Sequence, residues 1–170
     1  MRQLEKSAAL NHASLAEYLE NVNTRLMNQC LSSAGLAIGS SAKAKVLIAN
    51  TVTYSNAGKI LTKTTAEFAF TATTHDIAAN AASVQEACYL MCLSSNGTPT
   101  LTMGVIATGA GNAKVPEVPA SVTPIGYVRV AVEAGTTLFN ASTDELDASH
   151  LTVTYVNLGY VNNSFESEIM

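Results

Sequence analysis

From about residue 42 onward, apolar and polar side chains alternate in short runs, and a period of two predicts strands with one buried face. Val46, Ile48, Val52 and Tyr54 alternate with Leu47, Ala49, Thr51 and Thr53. Further strands are expected over residues 60–65 and 67–73, the latter carrying Phe68 and Phe70 on one face. Residues 87–93 are apolar at every position, so that strand must have both faces covered. Asn96-Gly97 predicts a type I′ hairpin, because both central residues of that turn take positive φ. The returning strand is expected over residues 100–108, with Leu101, Met103 and Val105 on one side. A long Gly/Pro loop (109–124), a strand (125–133), a second long loop (134–149) and a last strand (151–160) complete the pattern. Strands in series without helices between them predict a mainly β chain, an antiparallel β-sandwich of jelly-roll-like or barrel type.

The first thirty-five residues follow a different period. Ser14-Leu15-Ala16-Glu17 has the form of a capping box, in which hydroxyl and carboxylate satisfy two orphan amides at a helix start. Leu15, Leu19, Val22 and Leu26 then recur at spacings of four, three and four, the a/d stripe of an amphipathic helix. Such a stripe either packs on its own domain or forms the seam of a self-associating bundle. The outward positions are largely polar, with little else apolar to dock, and this favours the seam. Leu15, Leu19, Val22 and Leu26 are therefore the candidate oligomer interface. Two heptads alone do not hold a bundle in water, so other contacts between subunits must help. Residues 35–41 read as a flexible connector. The expected organisation is a helical oligomerisation or attachment segment with its connector (1–41), a β-sandwich domain (42–160) and an acidic tail (161–170).

Composition narrows the functional classes. Of 170 residues, 48% are hydrophobic and only 13% charged, about half the ordinary share of roughly 25%. The net charge is −4, and without a basic run nucleic acid is not an expected partner. Seven Lys/Arg face five acids in residues 1–85, whereas two face eight in residues 86–170. No stretch approaches the roughly 18 apolar residues of a spanning helix, and the start lacks an apolar signal region, so no membrane partner is expected. Cys30, Cys88 and Cys92 are an odd count. Cys88 and Cys92, four apart on one strand face, would lie about 13 Å apart, against the roughly 7 Å limit for a disulfide. Reduced thiols packing as small hydrophobes are expected, consistent with synthesis in a cytoplasm.

Catalytic signatures are sparse. His12, His75 and His150 stand in unrelated contexts, and no nucleophile elbow, phosphate-binding loop, dinucleotide fingerprint or H-E-x-x-H occurs. His75-Asp76 is the best isolated pair, but neighbours in a turn seldom face each other. Asp144-Glu145-Leu146-Asp147 offers oxygens for Ca²⁺ yet lacks the alternating ligand pattern, and a solvated loop is the better reading. No catalytic residue, metal or cofactor is expected.

Between Glu67 and Leu158 the chain resembles a module of tailed-bacteriophage virion proteins. The resemblance is carried by Phe68 and Phe70, the Thr74-His75-Asp76-Ile77 turn, the Asn96-Gly97 hairpin, the Pro-rich loop, Ile-Gly-Tyr-Val-Arg-Val at 125–130 and the final Thr-Val-Thr-Tyr strand. It implies a homotrimeric, non-enzymatic capsid decoration or cement protein, or a head fibre, made in the host cytoplasm and residing in the virion. The implied partners are other copies of the chain and the major capsid protein or other virion proteins. The absence of a 20–50-residue repeat favours a compact appendage over a shaft. The alternative is a tail or fibre tip that recognises a host receptor or glycan through loops 109–124 and 134–149. A small glycan depolymerase would need convergent carboxylates in a cleft.

Overall fold

The computed structural model describes residues 15, 27–40, 43–135 and 138–159. Ten strands run through them: β1 (Leu36–Ile38), β2 (Lys45–Ile48), β3 (Val52–Asn56), β4 (Lys59–Lys63), β5 (Glu67–Ala69), β6 (Gln85–Ser94), β7 (Pro99–Met103), β8 (Ala107–Thr108), β9 (Val122–Val132) and β10 (Leu151–Asn157). They form a five-stranded sheet in the order β10-β9-β6-β7, with β8 also on β6, a three-stranded sheet β1-β2-β5 and the hairpin β3-β4. Every pairing is antiparallel. The fold is mainly β, and its sheets share one apolar core.

The alternation explains the core. Val46 and Ile48 of β2, Phe68 of β5 and Leu36 of β1 share one apolar cluster with Ala87, Tyr89, Met91 and Leu93 of β6 and with Val128, Val130 and Val132 of β9. In the five-stranded sheet these are alternate residues, as a strand's period requires. β1 lies beside β10 and β5 beside β7, so the edges of the two sheets approach each other. One pin between them is polar: the Leu36 amide donates to Asn157 Oδ1 at 2.7 Å. Gly126 sits where this approach is tightest, since an added Cβ there would stand 2.6 Å from the Val156 carbonyl oxygen and collide with the Leu36 side chain.

Several expectations are corrected. Residues 46–54 are two strands rather than one, because the chain breaks at residues 49–51 and the Ala49 and Asn50 amides turn to the Gly35 and Ala34 carbonyls. The connector expected over 35–41 instead supplies β1, so the sandwich begins before residue 42. The turn at Asn96-Gly97 is not type I′: Gly97 alone takes a positive φ (76°). Its amide bonds Ser94 O while Ser94 N bonds Thr98 O, the three-residue hairpin in which a left-handed Gly closes a type I turn. The two-residue turn with two positive φ values is at Ala57 (49°) and Gly58 (75°), between β3 and β4. Residues 27–29 clamp that turn, with Gly58 N donating to Met27 O and Ala57 N to Asn28 Oδ1. The strand expected over 100–108 breaks at 104–106.

Leu15 is helical and 52% exposed. Leu19, Val22 and Leu26 lie outside the described residues, as do residues 1–14 and 16–26 of the expected helical segment and the acidic tail; residues 28–35, expected to carry the helix to Gly35, are not helical, and Cys30 forms a β-bridge with Tyr54 instead.

Candidate functional site

The outer face of the five-stranded sheet is where this fold departs from a simple two-layer plan. Glu86, Cys88, Leu90 and Cys92 point away from the shared core, yet each is buried. Glu86 and Cys88 are covered by residues 109–116, part of the stretch that reads as a free loop in the sequence, and this segment acts as a strap. Gly109 (φ 92°) and Gly111 (φ 81°) adopt the left-handed conformations that turn the strap back across β6. Ala113 is the point of attachment: its amide donates to Glu86 Oε2 at 3.0 Å, and its carbonyl accepts from Cys88 Sγ at 3.4 Å. Gly104 lets the strap lie close, because a Cβ there would be 2.7 Å from the Lys114 carbonyl oxygen. The almost fully buried Glu86 carboxylate faces Arg129 Nη1 at 3.7 Å, and the guanidinium stands 5.9 Å from the centre of the Tyr127 ring.

Two grooves flank the strap. One, of about 620 Å³, lies between the 103–107 segment and the strap; Met103, Val105, Ala107, Val115 and Pro116 give it apolar walls, with Asn112, Lys114 and Glu117 also lining it. Val105 is 86% exposed, and Ile106, Val115 and Val118 are exposed nearby. The other, of about 460 Å³, is more polar, with Glu86, Arg129, Thr152 and Thr154 among its lining residues. Sequence reading missed the first because Val115 and Val118 stand in a proline-rich loop. The available signal was Val105-Ile106, adjacent apolar residues that an alternating strand cannot both bury.

His75-Asp76 is a structural knot. His75 Nδ1 accepts the Thr71 amide at 2.8 Å, and the ring meets Phe70 and Tyr89 edge-on. Burial holds the imidazole below its ordinary value, against the opposing pull of Asp76. The two Asp76 oxygens accept the Thr73 amide (2.9 Å) and the Ala141 amide (2.8 Å). Tyr89 closes the knot by donating its hydroxyl to His75 O at 2.6 Å. Residues 70–77 are thus tied to the 139–144 turn, with Phe139 packed on Phe70 and Tyr89.

The acidic stretch is also occupied by local bonds. Asp144 Oδ2 accepts the Asn140 amide at 2.7 Å. Asp147 bonds Lys43 at 2.7 Å, which lowers the carboxyl value and raises that of the ammonium. Among the described residues, no group of three His, Cys, Asp or Glu side chains is placed to hold a metal ion. Cys30, Cys88 and Cys92 are free and buried, and burial pushes the Cys92 thiol up to about 12. Of the expected interface residues, only Leu15 is described. Comparison with family models, with curated proteins and with solved structures finds no match to the chain.

Proposed function

We propose that this chain is a non-enzymatic virion structural protein of a tailed bacteriophage, a homotrimer that decorates or cements the capsid. The observation that carries the proposal is the apolar groove, with Val105 and Val115 exposed in its walls, on a chain with few charges. Exposed apolar side chains beside an apolar groove suit contact with another protein. The sequence resemblance across residues 67–158 supplies the setting. The a/d stripe at Leu15, Leu19, Val22 and Leu26 would supply a seam between copies, and the resemblance sets their number at three. The role of each part is mechanical: the helix gathers copies, the sandwich keeps its strap rigid, and neutral Thr and Asn groups hydrogen-bond to neighbours. Three copies on one axis turn weak single contacts into avid attachment. The protein is then made in the host cytoplasm and resides in the virion, bound to the major capsid protein or its neighbours.

Antibody labelling of purified particles tests this reading: label spread over heads supports decoration, and unlabelled particles overturn it. Light scattering on the free chain with Val22→Asp tests the seam, with loss of trimer expected. The polar groove at Arg129, Thr152 and Thr154 favours a second reading, a tail or fibre tip that binds a glycan. Label confined to tails together with a reproducible glycan-array signal would select it.

A further inference from the structure

Residues 70–77 join three features at a distance from the strap. His75 is buried, and its Nδ1 accepts the Thr71 amide at 2.8 Å. A ring nitrogen accepts only while it carries no proton, so this bond belongs to the neutral imidazole alone. Thr73 holds φ 65°, a left-handed conformation that is costly for a β-branched residue. It stays there with its amide bonded to Asp76 Oδ2 at 2.9 Å. Asp76 Oδ1, which accepts the Ala141 amide, and the Ile77–Phe139 bridge carry the turn onto residues 139–141. A titratable acceptor, a strained residue and a contact between two chain segments thus form one connected set.

That set lies outside the sheets. Among the described residues, 70–84 and 133–150 contribute no strand, so parting the two segments breaks no sheet pairing. When the imidazole takes up a proton, Nδ1–H points at the Thr71 N–H, and two donors meet in a buried site. The ionisable groups that face the ring among the described residues are Asp76, whose charge favours the imidazolium, and Tyr89, whose burial keeps its phenol neutral. Phe70 adds an apolar edge. Burial outweighs Asp76, so the closed turn and the proton oppose each other.

We propose that His75 is an acid-sensitive latch: protonation of its ring frees residues 70–77 from residues 139–141 while the five-stranded sheet stays paired. Release lets Thr73 relax, and it uncovers Ile77 and Phe139, both fully buried in the closed form. The closed form is complete above about pH 6.5. Below that, the open fraction rises by up to about tenfold per pH unit until the lowered folded value is reached.

Hydrogen exchange of the 170-residue chain, corrected for the intrinsic rate and followed by NMR from about pH 7 to about pH 5, tests this with the His75 ring resonances read in the same samples. The Thr71, Thr73, Ile77, Phe139 and Ala141 amides should lose protection in step with the ring's titration, by about tenfold or more. The amides of β6 and β9 should keep theirs. His75→Asn offers Oδ1 to the Thr71 amide without titrating, and should keep all five protected. Protection that survives ring protonation, or that persists to about pH 5, would overturn the latch. A loss that remains in His75→Asn, or that spreads to β6 and β9 at the same pH, would overturn it too. The comparison within the parent chain needs no variant, so it stands even where His75→Asn does not fold.

Discussion

Glu86 gives the sharpest handle on the strap. Its carboxylate sits at the floor of the outer face, accepts the Ala113 amide at 3.0 Å and faces Arg129 at 3.7 Å. A buried hydrogen bond to a charged group contributes about 1.5–3 kcal/mol, and leaving a buried amide unpaired costs a comparable amount. The Arg129 contribution is smaller: its side chain is 29% exposed and the contact is long, so about 0.2–1 kcal/mol is appropriate. Glu86→Ala should therefore destabilise the protein by about 2–4 kcal/mol, lowering Tm by roughly 5–10 °C for a chain of this size. Glu86→Gln retains an oxygen for the Ala113 amide and should cost only about 1 kcal/mol. Thermal unfolding measures the totals, and hydrogen exchange locates them: amides at 110–116 should lose protection in the Ala variant before the β6 amides do. Gln and Ala variants of equal cost would show that charge pairing, and not the amide bond, holds the strap. Unchanged protection at Ala113 in the Ala variant would remove Glu86 from the account altogether.

Three further outcomes are expected. Ala57 has φ 49°, a conformation that costs a side-chain-bearing residue about 1–2 kcal/mol; after the extra chain entropy of glycine, Ala57→Gly should stabilise by about 0.5–1 kcal/mol in urea titration. Burial lowers the His75 value in the folded state, so the unfolded chain binds that proton more readily. Stability should be complete above about pH 6.5 and decline as pH falls below it towards the lowered folded value. His75→Gln should flatten that part of a denaturation profile, and an unchanged slope would contradict the assignment. Finally, Cys30, Cys88 and Cys92 are buried with raised thiol values, so a thiol reagent should label none in the native protein and all three in guanidinium.

Strand identity was legible where side chains alternate against a single core. Val46, Ile48, Val52, Tyr54, Phe68, Val128, Val130 and Val132 are all buried, because period-two burial is a local property. The double burial of residues 87–93 was legible for the same reason, but its cause was not. A strap made of Gly, Pro and small residues has no period of its own, and its attachment through a backbone amide at Ala113 leaves no trace in side-chain pattern. β1 was hidden because three residues are too few to alternate. The Asn96-Gly97 step marked the right place and the wrong turn type, since Gly97 alone supplies the left-handed residue. The two-residue turn sits at Ala57-Gly58, where contacts from residues 27–29 override the poor local preference of alanine. Glu86, which holds the strap through the Ala113 amide, and its partner Arg129 were visible only as outliers, Glu86 beside an apolar run and Arg129 between valines.

On the proposed function this chain acts by holding other protein, its own copies first. Sedimentation equilibrium of the 170-residue chain at physiological salt reads that directly. A mass three times 17.7 kDa, falling to the single-chain value when Val22 is replaced by Asp, is the expected result. A single-chain mass at every concentration, unchanged by substitutions at Val22 or Val105, would contradict it.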